Sequence, residues 1–150
     1  CSVGSLTRKL AKKVLPKGRV YAFDFIKHNV KISSNQLKRH KHINFFHHRH
    51  LDNFKTEVKL PKFDVLVSVG VLSYLQKPQN VLNHLSKKIK KGGEVVFVDY
   101  DKFFYILPNV EWISDEKRLQ RMFKKAGFDV NVMKKRGLLW QYIFIHGKKV

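Results

Sequence analysis

The chain has 150 residues, 43% of them hydrophobic and 13% aromatic, and its 31 Lys and Arg against 11 Asp and Glu give a formal charge of +20. That length holds one domain with a substantial core, and the apolar content excludes a disordered chain in spite of the charge. A single cysteine excludes a disulfide framework, and no apolar run approaches the ~20 residues that a membrane-spanning helix needs.

In chain order, Thr7–Leu15 carries Leu10, Ala11 and Val14 on one helical face, and Pro16, Lys17 and Gly18 stop it. Arg19–Asp24 reads as a short buried strand that ends in an acid. Asn29–His40 is a weaker helix with Val30, Ile32 and Leu37 as its apolar positions, and Ile43–Phe46 is a short strand. Phe63–Val69 is a strong strand followed by Gly70. Pro78–Lys90 is a helix with Val81, Leu82, Leu85 and Ile89 on one stripe. A Lys91-Gly92-Gly93 turn leads into the strand Glu94–Tyr100. Phe103–Ile113 is aromatic and irregular. Ser114 and Asp115 cap a helix that runs to Ala126 and stops at Gly127. Phe128–Lys134 and Leu139–His146 form a terminal hairpin through Arg136 and Gly137, its second strand inserted antiparallel in the sheet. There is no internal repeat and no obvious linker. Alternating strands and helices mean a single α/β domain over residues 1–150, with a mostly parallel sheet. Ligands of such sheets bind at the carboxyl ends of the strands.

Three strand ends therefore carry the functional reading. Cys1–Thr7 is a small-residue turn before a helix, either a plain turn or a place where a ligand approaches backbone near a helix N-terminus. Asp24 lies about one βα unit later, where an acid accepts from two ribose hydroxyls; its plainer role is an exposed carboxylate or a helix cap. Ser68, Val69 and Gly70 end the strongest strand, and Gly70 permits close approach or merely turns the chain.

Together these segments resemble the class I S-adenosylmethionine-dependent methyltransferases. Cys1–Thr7 resembles the second half of that family's glycine-rich first motif, and Val20–Asp24 its second motif, whose acid holds the ribose. Phe63–Leu75 resembles the fourth-strand motif and its loop. Ile89–Val98 resembles the lysine-proline-glycine-glycine turn and fifth strand, and Phe123–Val130 the late helix-to-strand step. The resemblance covers essentially the whole chain and implies a Rossmann-like three-layer sandwich of seven strands, the last antiparallel. It implies S-adenosylmethionine as cofactor. Cys1, Ser2, Val3 and Gly4 would line its methionine part, Asp24 the ribose and Phe25 the adenine, with Ser68, Val69 and Gly70 near the sulfonium end.

The sequence departs from the family pattern in three places. The acid and glycine that normally open the first motif, with the first strand, would precede Cys1; the expectation is a chain truncated within that motif. Ser2 stands where the family usually has glycine. Arg49, beside His50, stands where the family often has an acid for the adenine amino group. A guanidinium cannot accept that hydrogen bond but can stack on the ring. His40, His42, His47, His48 and His50 complete no recognised metal spacing, so no metal is expected; they read as loop residues or as added positive charge at mildly acid pH. The aromatics Phe103, Phe104, Tyr105, Trp112 and Trp140 line an acceptor pocket or pack the last helix on the sheet. Tyr74 and Tyr100 stand near the strand-end face. The Asn-Pro-Pro-Tyr pattern of base amino methylases is absent, replaced by Ser68–Val71.

The leading expectation is methyl transfer to a small-molecule acceptor. A pI near 10.2 keeps RNA or another polyanion open as acceptor or partner. The departures at Ser2 and Arg49 keep open a non-catalytic, methyltransferase-like binding domain. The lone cysteine and the lack of an export signal point to the cytoplasm.

Overall fold

The computed structural model describes residues 1–49, 52 and 60–150. They form two compact units, Cys1–Leu51 and Asp52–Val150.

The first unit runs α1 (Ser5–Val14), β1 (Val20–Asp24), α2 (Lys27–Gln36) and β2 (Ile43–His47). Helix α2 carries the chain from the end of β1 back to the start of β2. The two strands therefore pair parallel, in register from Val20 opposite Ile43 to Asp24 opposite His47. Ala11, Ala22, Leu37 and Ile43 make its core. The alanines let α1 and β1 approach closely, while Leu37 and Ile43 supply the volume. On the other face of β1, Phe23 stacks on Phe46 at 4.9 Å and Tyr21 at 6.2 Å, as the two-residue side-chain period of a strand requires.

The second unit begins with β3 (Phe63–Val69), a 3-10 turn (Leu72–Tyr74) and α3 (Pro78–Lys88). It continues through β4 (Ile89–Phe103), β5 (Leu107–Pro108), α4 (Glu111–Ser114), α5 (Glu116–Lys125), β6 (Phe128–Arg136) and β7 (Trp140–Lys149). Its sheet has the order β3-β4-β7-β6, with β5 added to β4. Strands β3 and β4, joined through α3, are parallel, whereas β7 lies antiparallel between β4 and β6. The terminal hairpin thus inserts its second strand as the sequence predicts. Val95 and Phe97 of β4, Ile143 and Ile145 of β7, and Leu119 and Phe123 of α5 are fully buried. Phe97 meets Phe123 edge to face at 5.1 Å. The architecture is α/β and Rossmann-like, with parallel βαβ pairs and an antiparallel C-terminal strand.

Helices α1 and α2 each begin and end earlier than the sequence reading has them, and three further boundaries differ in the second unit. Strand β4 starts at Ile89, before the two glycines. The register jumps from Phe63 opposite Ile89 to Val65 opposite Glu94. Gly92 absorbs the irregularity at φ 76°, and Lys90 Nζ lies 2.6 Å from Asp64 Oδ1 across it. The expected turn is therefore a bulge within a paired strand. Second, Phe103–Ile113 is not wholly irregular, since it holds β5 and most of α4. Third, both hairpin strands run past their expected ends, to Arg136 and Lys149. The α5 cap is as expected: Asp115 accepts from the Arg118 N–H at 2.9 Å. Asp115→Ala should lower stability by about 1 kcal/mol in urea denaturation.

Candidate functional site

The turn before α1 is closed on itself and onto β1. The Gly4 N–H donates to the Cys1 carbonyl at 3.1 Å, and Arg8 N–H to the Gly4 carbonyl at 2.8 Å. The Cys1 nitrogen lies 2.7 Å from the Phe23 carbonyl oxygen and 2.9 Å from Asp24 Oδ2, donating toward both. Ser2 N–H donates to the same oxygen at 2.7 Å. Asp24 Oδ1 accepts from Ile26 N–H at 2.9 Å and, at 3.4 Å, from Asn29 Nδ2. The acid at the end of β1 thus organises the small-residue turn and the start of α2 at once.

Burial opposes ionisation of Asp24, whose side chain is 8% exposed. Hydrogen bonds from the Ile26 N–H, the Cys1 nitrogen and the Ser2 N–H outweigh that opposition and hold its carboxyl below the ordinary carboxylate value. Asp24 is therefore an anion at neutral pH. A carboxylate has about four lone-pair positions. Three are strongly engaged, and the long Asn29 contact marks the one that a ligand hydroxyl takes most easily.

Gly4 is buried at φ 92°, with Ser33 and Leu37 of α2 packed against it. Ser2 also lies in the left-handed region, at φ 47°. The backbone there is one that glycine adopts freely, so the serine keeps the turn geometry at a conformational cost. Ser2→Gly should stabilise the first unit by about 0.5–1 kcal/mol, net of the extra freedom of the unfolded chain. Thermal denaturation of the two proteins side by side reads this.

The other site candidates fall as follows. Val3 is exposed beside the turn. Phe25 is half-buried just after β1, and its carbonyl accepts from His47 Nε2 at 3.2 Å. Arg49 is exposed beyond β2, where the His48 N–H donates to the Asp24 carbonyl at 2.9 Å. His50 lies outside the described residues. Ser68, Val69 and Gly70 belong to the second unit. Gly70 turns the chain at φ 63°, and its N–H donates to the Val98 carbonyl at 2.8 Å. Of the histidines, His42 donates from Nε2 to the Ala11 carbonyl at 3.2 Å, with the His40 ring edge-on to it at 5.7 Å.

Two residues escape the sequence reading. Ser33 is fully buried on α2, its Oγ 3.5 Å from the Cys1 sulfur. Its spacing with Val30 and Leu37 on one helical face is the signal that marks it, a small polar residue in an apolar stripe. Asp99 is buried at the carboxyl end of β4 and accepts from Ser73 N–H at 3.3 Å and Tyr100 N–H at 2.8 Å, tying the loop after β3 to the sheet. Its signal is an acid in the inward phase set by Val95 and Phe97.

A family model described as a methyltransferase domain matches residues 1–143. The chain belongs to the methyltransferase-domain family. It is 26% identical over 113 residues to the mitochondrial ubiquinone biosynthesis O-methyltransferase of Dictyostelium discoideum. That match covers 69% of this chain and 34% of the relative, so the chain spans about a third of the relative's length. Among solved structures, the N-methyltransferase NodS of Bradyrhizobium japonicum in complex with S-adenosylhomocysteine superposes with a TM-score of 0.74 at 18% identity, covering 99% of this chain and 74% of NodS. The [4+2]-cyclase SpnF superposes with a TM-score of 0.75 at 10% identity, covering 99% of this chain and 72% of the cyclase. A methyltransferase-like fold that carries a cyclase shows that these likenesses establish architecture, and that activity must be argued from the site.

Proposed function

We propose that the protein is an S-adenosylmethionine-dependent methyltransferase acting on a small-molecule acceptor. The observation that carries this reading is the turn Cys1–Gly4, closed by backbone hydrogen bonds onto an ionised Asp24 one βα unit further along. Family membership supports it.

S-adenosylmethionine, when bound, would supply a sulfonium-activated methyl group to the acceptor's lone pair. The chain's residues bind and orient. The Asp24 carboxylate would accept from a ribose hydroxyl at its remaining position, and its charge strengthens that bond. Cys1, Ser2, Val3 and Gly4 offer backbone without bulk to the methionine part. The first turn of α1 has no capping side chain, so its N–H groups are available to a carboxylate. Phe25 would pack on the adenine, with Arg49 toward that end. Positioning for in-line transfer, rather than covalent participation, is what such a site contributes to rate.

Isothermal titration of S-adenosylhomocysteine into the protein tests this reading. Micromolar binding is expected, and a folded protein that takes up no heat would refute it. A second reading, an RNA acceptor, rests on the +20 charge. It requires RNA binding that weakens steeply with salt; flat salt dependence removes it.

A further inference from the structure

The second unit carries an apolar tip that neither the core nor the proposed cofactor site uses. Two turns make it: Phe104–Ile106, between β4 and β5, and Gly137–Leu139, between β6 and β7. They are fastened to each other. The Phe104 N–H donates to the Leu139 carbonyl at 2.8 Å. The Tyr105 hydroxyl donates to the carbonyls of Gly137 and Leu138. The Arg136 guanidinium lies over the Tyr105 ring, 5.4 Å from its centre.

What the tip presents to solvent is unusual for turns. Leu138 is 92% exposed, Ile106 77%, Leu107 61% and Phe104 54%. Hairpin turns are ordinarily made of Gly, Asn or Asp. Phe104 and Tyr105 are bulky aromatics held in the left-handed backbone region, at φ 47° and 64°, where such residues are outliers. Strain kept in order to expose apolar side chains points to a partner for them.

The charge pattern selects the partner. Lys102, Lys135 and Arg136 ring the tip, and Lys102–Asn109 and Lys134–Tyr142 contain no Asp or Glu. The nearest acid before the first turn, Asp101, is fully buried and accepts from Ser114 Oγ at 2.6 Å; Glu111 opens α4 beyond β5. Behind the aliphatic residues stand Phe103 and Trp140, 4.7 Å apart, and Tyr100, 5.1 Å from Trp140. Aliphatic side chains at the apex, Trp and Tyr behind them and a collar of cations match, in order, the acyl, interfacial and headgroup layers of an anionic bilayer. Nucleic acid uses cations and stacked aromatics but has no use for solvent-projecting Leu138, Ile106 and Leu107.

We infer that this tip docks the protein on an anionic lipid surface, with Leu138, Ile106, Leu107 and Phe104 inserted and Lys102, Lys135 and Arg136 on the headgroups. Because Gly70 bonds to Val98 two residues before Tyr100, the docked end is also the carboxyl end of β3.

The test is co-sedimentation of the full chain with phosphatidylcholine vesicles, with and without phosphatidylserine, in parallel with poly(uridylate) binding. Binding should require the anionic lipid. Leu138→Ser and Ile106→Ser should each weaken it about tenfold, leaving the melting temperature and poly(uridylate) binding unchanged. Tryptophan emission should be quenched by brominated lipid, and that quenching should vanish in Trp140→Phe. The inference is overturned by absence of binding to anionic vesicles, or by binding indifferent to both substitutions. It is equally overturned if poly(uridylate) binding falls in step with lipid binding, which would make the tip a nucleic-acid face. Should either serine variant fail to fold, the quenching of the unsubstituted protein decides. None of these readouts depends on methyl transfer.

Discussion

Asp24→Asn should weaken S-adenosylhomocysteine binding about 10- to 100-fold in isothermal titration, with the protein still folded. The substitution preserves shape and removes charge. A ribose hydroxyl donating to the carboxylate forms a charge-assisted hydrogen bond of about 1.5–3 kcal/mol. An amide keeps one acceptor oxygen and presents donors where the ribose also donates. Asp24 has a structural role as well, since it accepts from the Cys1 nitrogen and the N–H groups of Ser2 and Ile26. The pH dependence separates the two roles. The carboxyl is held below its ordinary value in the folded protein, because these donors outweigh the burial that opposes its charge. Its contribution to stability is therefore fully present above the unfolded value, about 4, and is lost as pH falls through the folded one. The stability gap between wild type and Asp24→Asn should be constant near neutrality and close in that acid window. A gap unchanged down to the lowest pH would show that the carboxylate is not what the turn rests on. Unchanged ligand affinity would remove Asp24 from the cofactor site whatever the gap does.

The strands were legible because each is short, apolar and punctuated. Phe63–Val69 is found to the residue, since a lysine-flanked apolar run meets Gly70 at its end. The α3 stripe Val81, Leu82, Leu85 is buried as its spacing demands. What was not legible is what tertiary structure decides. The two glycines at 92 and 93 read locally as a turn, yet pairing of Ile89 with Phe63 draws them into β4. The aromatics after β4 divide between packing and exposure. Phe103 meets Trp140 in a tilted contact at 4.7 Å, whereas Phe104, against Phe103 on one side, is left half exposed at a positive φ that no local pattern announces. At the site, type and spacing sufficed to place Asp24 and the small-residue turn in one cluster. They did not reveal that the turn's own N–H groups occupy the acid, because such contacts depend on how the backbone folds back over β1. Ser33 was missed for a related reason: a serine on a weak helix looks solvated until a glycine is packed against it.

Gly4→Ala tests that packing, with an expected loss of about 2–4 kcal/mol in denaturation of the first unit. Two costs combine. The backbone at Gly4 sits at φ 92°, and confining an L-residue to the left-handed side costs about 1–2 kcal/mol. A Cβ built there would stand 3.1 Å from the Ser33 Cβ and 3.2 Å from the Leu37 Cδ1. Overpacking of this kind costs about 1–3 kcal/mol. Leu37 cannot yield cheaply, because it is 1% exposed in a core it shares with Ala11, Ala22 and Ile43. Ser33→Ala leaves the Cβ contact and the backbone strain in place and should rescue nothing, whereas Ser33→Gly removes the Cβ partner and should recover part of the loss, less the helix penalty of about 1 kcal/mol. Since the turn that holds Gly4 also presents Cys1, Ser2 and Val3, Gly4→Ala should weaken S-adenosylhomocysteine binding along with stability. Full affinity in a destabilised Gly4→Ala protein would mean that the turn supports the fold but does not meet the cofactor.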